Sequence, residues 1–288
     1  MKKIKAFIVW LNIRALRRLI TLGYLDNTRV KRILKSLNVH PTILERPNYI
    51  FADVKSTFKV SNNLPASPKG RVAIYTCLTN GYDDLSSPLT PDINADFIVF
   101  TDNPDLKVPG WETRLLPNPL NLDPRRLSRM PKVLPHRYLQ GYDYSIYVDA
   151  NLTIMGDLVK LVQYLDHGYS MALCVHPDNR DCLYQEAETI IHFGYDKQET
   201  IENQMETYKL QGMPAHFGLY ECSALIRSHN DHLLMETMEI WWQEIKTKSH
   251  RDQLSFTYSL WKTGLKVNAI NTQARQNDLL LKKAHHSQ

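Results

Sequence analysis

The segment YSIYVDANLTI, residues 144–154, constrains the fold more than any other part of the chain. Up to Val148 it is almost continuous in apolar, aromatic and β-branched residues, and it then meets two polar side chains, Asp149 and Asn151. A run of that kind suits a strand covered on both faces. Such a strand needs a layer above and a layer below it.

Further runs repeat the pattern: RVAIYTCLTN from residue 71 to the turn signal Asn80-Gly81, ADFIVFTDN at 95–103, Trp111 to Leu116, YSMALCVHP at 169–177 and LYECSALIRS at 219–228. Gly156-Asp157 opens a short helical stretch, LVKLVQYL, and helical periodicity marks 182–193, 197–211, 231–246 and 252–263. Strands alternating with helices predict an α/β fold, a Rossmann-like, mainly parallel sheet covered by helices.

The 288 residues are 43% hydrophobic and 23% charged, an ordinary globular composition. The net charge of +5 is unevenly placed, since residues 1–40 carry ten Lys/Arg against one Asp and the rest of the chain is net acidic. The basicity therefore belongs to the N-terminal segment, and nucleic acid is not an expected partner. Residues 1–38 read as a basic helical extension, 39–70 as a linker or wrapping arm rich in Pro, and 71–288 as the main domain. Arg14, Arg17 and Arg18 interrupt the apolar run after the first lysines, and no A-x-A-like cleavage site follows, so a signal peptide or a membrane span is not expected. Two readings of residues 1–38 compete: an interfacial helix on an anionic inner leaflet, or a helix packed on the main domain. Cys77, Cys174, Cys182 and Cys222 lie in or beside apolar stretches without a C-x-x-C pair, which reads as buried reduced thiols. The expected location is cytoplasmic, with peripheral attachment to the inner membrane under the first reading.

Polar residues at strand ends are the candidates for chemistry, because open α/β sheets bind ligands there. Asp149 and Asn151 follow the strongest strand, and a carboxylate at that place can hold a divalent cation that also binds phosphate oxygens. Arg125, Arg126, Arg129, Lys132, His136 and Arg137 form a cationic stretch just before it. In a helix Arg126, Arg129 and Lys132 share one side, suited to a diphosphate, although Pro131 and Pro135 limit its regularity. His176, Arg180 and Glu186 follow the strand at 169–177 and compete with a simple capped loop. Glu221 is an acid in an apolar run, either buried and paired or on a solvent face. Ser249 and Asp252 read as N-cap and N3 of a capping box, with Arg251 and Gln253 beside them; Asp252 could equally accept sugar hydroxyls or a proton.

Taken together, VAIYTCLTNGYDDL, DFIVFTDNP, RLSRMPKVLPHRYL, YDYSIYVDANLTI, the segment 176–187, GLYECSALIRSHN and RDQLSFTY resemble, in order from residue 72 to 259, the plant mucilage and turgor-regulation glycosyltransferase-like family, which has bacterial members in polysaccharide gene clusters. The resemblance implies a GT-A-type fold and a nucleotide sugar as donor. It makes Asp149 the metal-associated residue, with Asn151 where such sites carry a second acid, and Mn²⁺ or Mg²⁺ as the cofactor. On this reading Thr79, Asp83 and Asp102 hold the nucleoside; Arg126, Arg129, Lys132 and His136 face the diphosphate. His176, Arg180, Glu186, Arg251 and Gln253 contact substrate, and Asp252 or Glu221 is the base if the enzyme inverts. The acceptor would be a glycan or a lipid-linked glycan in surface polysaccharide synthesis. Phospho- or nucleotidyl transfer on the same kind of site, and a catalytically degenerate membrane-associated assembly factor, are the competing functions.

Overall fold

The computed structural model describes Phe58, residues 68–89 and residues 93–282, except positions 167, 179 and 276. The expectations for residues 1–38, and nearly all of 39–70, lie outside the described residues.

Seven strands form the central sheet: β1 (Val72–Leu78), β2 (Asp96–Thr101), β3 (Glu112–Leu115), β4 (Tyr144–Val148), β6 (Met171–Val175), β7 (Tyr220–Arg227) and β8 (Asn268–Ile270). Their order is β3-β2-β1-β4-β7-β6-β8. All neighbours pair in parallel except β7, which runs antiparallel between β4 and β6. The mainly parallel sheet expected from the sequence is thus observed, with one reversed strand. Side chains alternate between faces: Ala73, Tyr75 and Cys77 enter one core, Val72, Ile74 and Leu78 the other.

Helices cover the first face: α1 (Pro124–Val133), the short α2 (Pro135–Tyr138), α5 (His232–Thr247) and α6 (Asp252–Thr263). Their apolar sides meet the sheet through Leu127, Trp241 and Phe256. On the second face a 3₁₀ helix, Leu158–Leu165, packs Leu158, Leu161 and Val162 against Ile146, Ala172 and Ile226. A third cluster joins α3 (Leu183–His192) and α4 (Gln198–Leu210) to α6 through Ile190, Ile201, Tyr208 and Leu254. Phe58 is buried in the second-face core, edge-on to Tyr164 at 6.2 Å. All four cysteines are free and buried, and no described helix is long and apolar enough to cross a membrane.

Two local expectations are corrected. The single strand expected over 144–154 is two: β4 stops at Val148, the chain turns with Leu152 N–H donating to Asp149 O (2.9 Å), and β5 (Leu152–Ile154) pairs instead with β9 (Leu280–Lys282) in a separate sheet. The capping box is absent as well, because Arg251 is the N-cap of α6 and Asp252 its first residue. Ser249 donates to Asp196 Oδ2 (2.6 Å) and accepts from Arg251 N–H (3.1 Å).

Candidate functional site

Thr79, Asp102, Asp149 and His176 are each the first residue after a parallel strand, β1, β2, β4 and β6 respectively. Because β7 is reversed, its first residues come to the same edge, and Glu221 joins them. Chain order switches sides between β1 and β4, the kind of point where open α/β sheets bind ligands at their strand ends. Asp149, the first residue after β4, stands at that switch.

Lys132 is almost wholly buried, and its ammonium lies 2.7 Å from Asp252 Oδ2 and 3.2 Å from Asp149 Oδ1. Tyr147 donates its hydroxyl to the same Asp149 oxygen (2.9 Å) and offers its ring to the ammonium at 4.8 Å. An isolated buried ammonium costs several kcal/mol, and these partners offset that cost. Arg129 Nε reaches Asp252 Oδ2 at 3.1 Å. Burial alone would push the Asp252 carboxyl up, but the charges of Lys132, Arg129 and Arg251 together hold it well below the usual carboxylate range. A carboxylate so firmly ionised is a weak base, so its geometry suits it to hold two cations rather than take a proton.

The position of Lys132 follows from how α1 ends. Pro135 cannot continue the helix, and Leu134 leaves helical geometry. The carbonyls this releases are collected by buried groups from the sheet: Arg227 donates to Lys132 O (2.9 Å) and to Tyr75 Oη, while the Tyr75 hydroxyl lies 3.2 Å from the carbonyls of Pro131 and Lys132. Asp123 caps the other end, accepting from Arg126 N–H (3.1 Å), and Thr79 donates to Pro124 O (2.7 Å), tying the end of β1 to the start of α1.

A register shift between Leu173 and Cys174 sets Glu221 opposite Cys174. Such irregularities re-aim side chains beside ligand sites. Glu221 is buried and pairs with Arg275, and Ser223 donates to its Oε1 (2.9 Å); among the described residues its buried Oε2 has no hydrogen-bond partner. Beyond it His176 sits with Arg180, whose guanidinium lies 2.7 Å from Glu186 Oε2 and 3.1 Å from Asp178 Oδ2. Burial, then the charges of Arg180 and Arg275, push His176 down to about 3, so the imidazole is neutral. Glu186 is raised by burial against the opposing pull of Arg180 and Arg251. Arg251 lies over the Tyr195 ring at 5.2 Å, and Gln253 donates to Tyr220 O (3.3 Å), fixing the start of α6 against β7.

Other sequence candidates serve the scaffold. Asp102 accepts from Asn80 N–H through both oxygens (3.0 Å each), holding the Asn80-Gly81 turn in which both residues have positive φ. Arg126 donates to Ile245 O (3.0 Å), Lys248 O (2.6 Å) and Asp123 Oδ2 (2.7 Å). His136 meets Glu239 of α5 at 2.8 Å. Arg126 and His136 thus face α5 rather than Asp149. The sequence reading missed Arg275 and Lys282. Lys282 is placed by the pairing of β9 with β5 and Arg275 by its ion pair with Glu221, long-range contacts with no local signature.

Among the described residues no three His, Cys, Asp or Glu side chains converge as a metal cage. Asp149, about one-third exposed, offers one carboxylate, with the Asn151 amide two residues on. Hard divalent cations of the Mg²⁺ type often use one or two carboxylates and take the remaining ligands from phosphates and water. The donor set therefore fits a cation arriving with a diphosphate.

The family model described as TOD1/MUCI70, glycosyltransferase-like domain, matches residues 87–286. The chain belongs to this family. The TOD1/MUCI70 span takes in Asp102, Lys132, Asp149, His176, Glu221 and Asp252, whereas Thr79 and the turn at Asn80-Gly81 precede it. The probable hexosyltransferase MUCI70 of Arabidopsis thaliana is 23% identical over 224 residues, covering 68% of this chain and 38% of that protein. The chain thus spans less than two fifths of that relative's length. Among solved structures, the bifunctional glycosyltransferase WbbM without ligand is similar at TM-score 0.42 and 10% identity, over 72% of this chain and 40% of that one. The galactosyltransferase LgtC with donor and acceptor sugar analogues is similar at TM-score 0.38 and 10% identity, over 69% of this chain and 72% of that one.

Proposed function

We propose that the chain is a nucleotide-sugar-dependent glycosyltransferase whose reaction centre lies between Asp149 and Glu221. One observation carries this reading: in a glycosyltransferase-like domain, a buried lysine joins Asp149 at the end of β4 to Asp252 at the start of α6. The nucleoside lies against the loop Thr79–Asp83, which Asp102 braces, and the diphosphate lies over Lys132 and Arg129. As the bond from the anomeric carbon to the diphosphate oxygen breaks, the electron pair leaves with that oxygen. Lys132 and Arg129, already oriented by Asp252, stabilise the growing charge; removing one such preorganised group typically costs 10²–10³-fold in rate. A divalent cation, Mn²⁺ or Mg²⁺, would sit on Asp149 and Asn151 and add further charge neutralisation there.

His176, Arg180, Glu186 and Arg251 border the sugar side, where a neutral imidazole and fixed charges suit hydroxyl recognition. Asp252 positions the cations. Glu221, with one oxygen unengaged, is the base for the acceptor hydroxyl if the reaction inverts. The acceptor is a glycan or lipid-linked glycan of a surface polysaccharide, and the basic residues 1–38 bring the enzyme to an anionic inner leaflet.

The test is product identity with a panel of nucleotide sugars, with and without Mn²⁺. Free sugar plus nucleoside diphosphate, or transfer to an added saccharide, is expected. Sugar phosphate plus nucleoside monophosphate would replace this reading with nucleotidyl or phosphoryl transfer.

A further inference from the structure

The last described strand brings a charged side chain next to the turn that carries Asp149 and Asn151. In β9, Lys282 pairs with Leu152, the residue after the Asp149–Asn151 turn, and Lys282 N–H donates to Arg275 O (2.8 Å), closing the segment between them. Arg275 is thereby held against buried Glu221. Lys282 is half-buried, yet among the described residues no carboxylate lies within ion-pair distance of its ammonium. Asp149, Glu221 and Asp83 act on it only from further away, and burial followed by the charge of Arg275 lowers its proton affinity. A half-buried ammonium beside a guanidinium costs stability, so it is a place where the fold lacks an anion.

We propose that Lys282, with Arg275 behind it, is an anchoring cation for the diphosphate of the donor, closing on it from β9 while Lys132 and Arg129 hold it from α1. This rests on the nucleotide-sugar reading above. A diphosphate there would give the Lys282 ammonium the charge-assisted contacts that the described residues do not supply to it, and would lie in the field of the already paired Lys132 and Arg129. The C-terminal strand then does more than close the second sheet: it completes the donor site.

The decisive experiment is calorimetric titration of UDP, GDP and ADP into the full chain and its Lys282→Met and Lys282→Arg variants, with thermal unfolding of each protein without ligand. The expected result is that wild type binds at least one of the three, Lys282→Met binds it about tenfold or more weakly, and Lys282→Arg recovers most of the loss. The unfolding midpoint of Lys282→Met should equal or exceed that of wild type, because an unpaired desolvated charge has been removed. Wild-type affinity in Lys282→Met overturns the assignment while leaving the proposed function standing. A lowered midpoint with affinity that Lys282→Arg does not restore makes Lys282 structural and also overturns it. No binding of any nucleoside diphosphate by wild type removes the nucleotide-sugar reading itself, and this inference with it.

Discussion

Single side chains at the strand ends carry charge states fixed by what surrounds them. Asp252 stays ionised because Lys132 and Arg129 touch it, and Lys132 tolerates burial because Asp252, Asp149 and the Tyr147 ring surround it. His176 shows the opposite case, a neutral ring enclosed near two guanidiniums and pushed down to about 3, and His229, buried against Leu139 O (3.3 Å), is pushed down to about 4. Both imidazoles remain neutral in the folded protein where the unfolded chain, with an ordinary histidine value of 6.5, takes up protons. The unfolded state then binds more protons, so stability falls as pH drops below about 6.5. Glu186, raised by burial, works in the other sense, and His250, lowered by burial, in the same sense, so the comparison runs from pH 7.5 to 5.5, across the ordinary histidine value. Urea unfolding over that window should show a loss of about 1 kcal/mol for each histidine. Unchanged stability would mean that both rings are protonated in the fold.

Elements place these side chains through contacts that sequence periodicity does not encode. The helices at 182–193, 197–211, 231–246 and 252–263 were legible because each carries an apolar face, and they are observed within one residue at either end. The break after Val148 was not, since Leu152 and Ile154 continue the apolar pattern while pairing with a strand about 130 residues later. Ser249 resembled a cap because the rule is local, whereas Asp196 from before α4 draws its hydroxyl away. Arg126 is the most instructive case. Its helical spacing with Arg129 and Lys132 is real, but its guanidinium binds carbonyls at the C-terminal end of α5, where a cation also meets the negative end of the helix dipole. Arg126→Ala should therefore lower stability by about 1–3 kcal/mol in chemical denaturation and leave nucleoside diphosphate affinity within about twofold. Wild-type stability with lost affinity would return Arg126 to the diphosphate.

At the scale of the whole molecule, a mainly parallel sheet with one reversed strand gathers residues 79, 102, 149, 176 and 221 at one edge. Most of that edge was legible, because polar residues after apolar runs stand out in the sequence. The reversed direction of β7 and the C-terminal cations were not, because strand direction and order depend on long-range pairing rather than on pattern. Asp149 is the point where these features meet, adjoining the switch between β1 and β4, the ammonium of Lys132 and the turn into β5. The most direct measurement is the rate of donor cleavage or transfer by wild type and by Asp149→Asn, a substitution that keeps shape and removes charge, with unfolding midpoints recorded for both. A fall of about 10²-fold or more in a variant that stays folded is the expected result, and an undiminished rate in folded Asp149→Asn would contradict the assignment of the reaction centre.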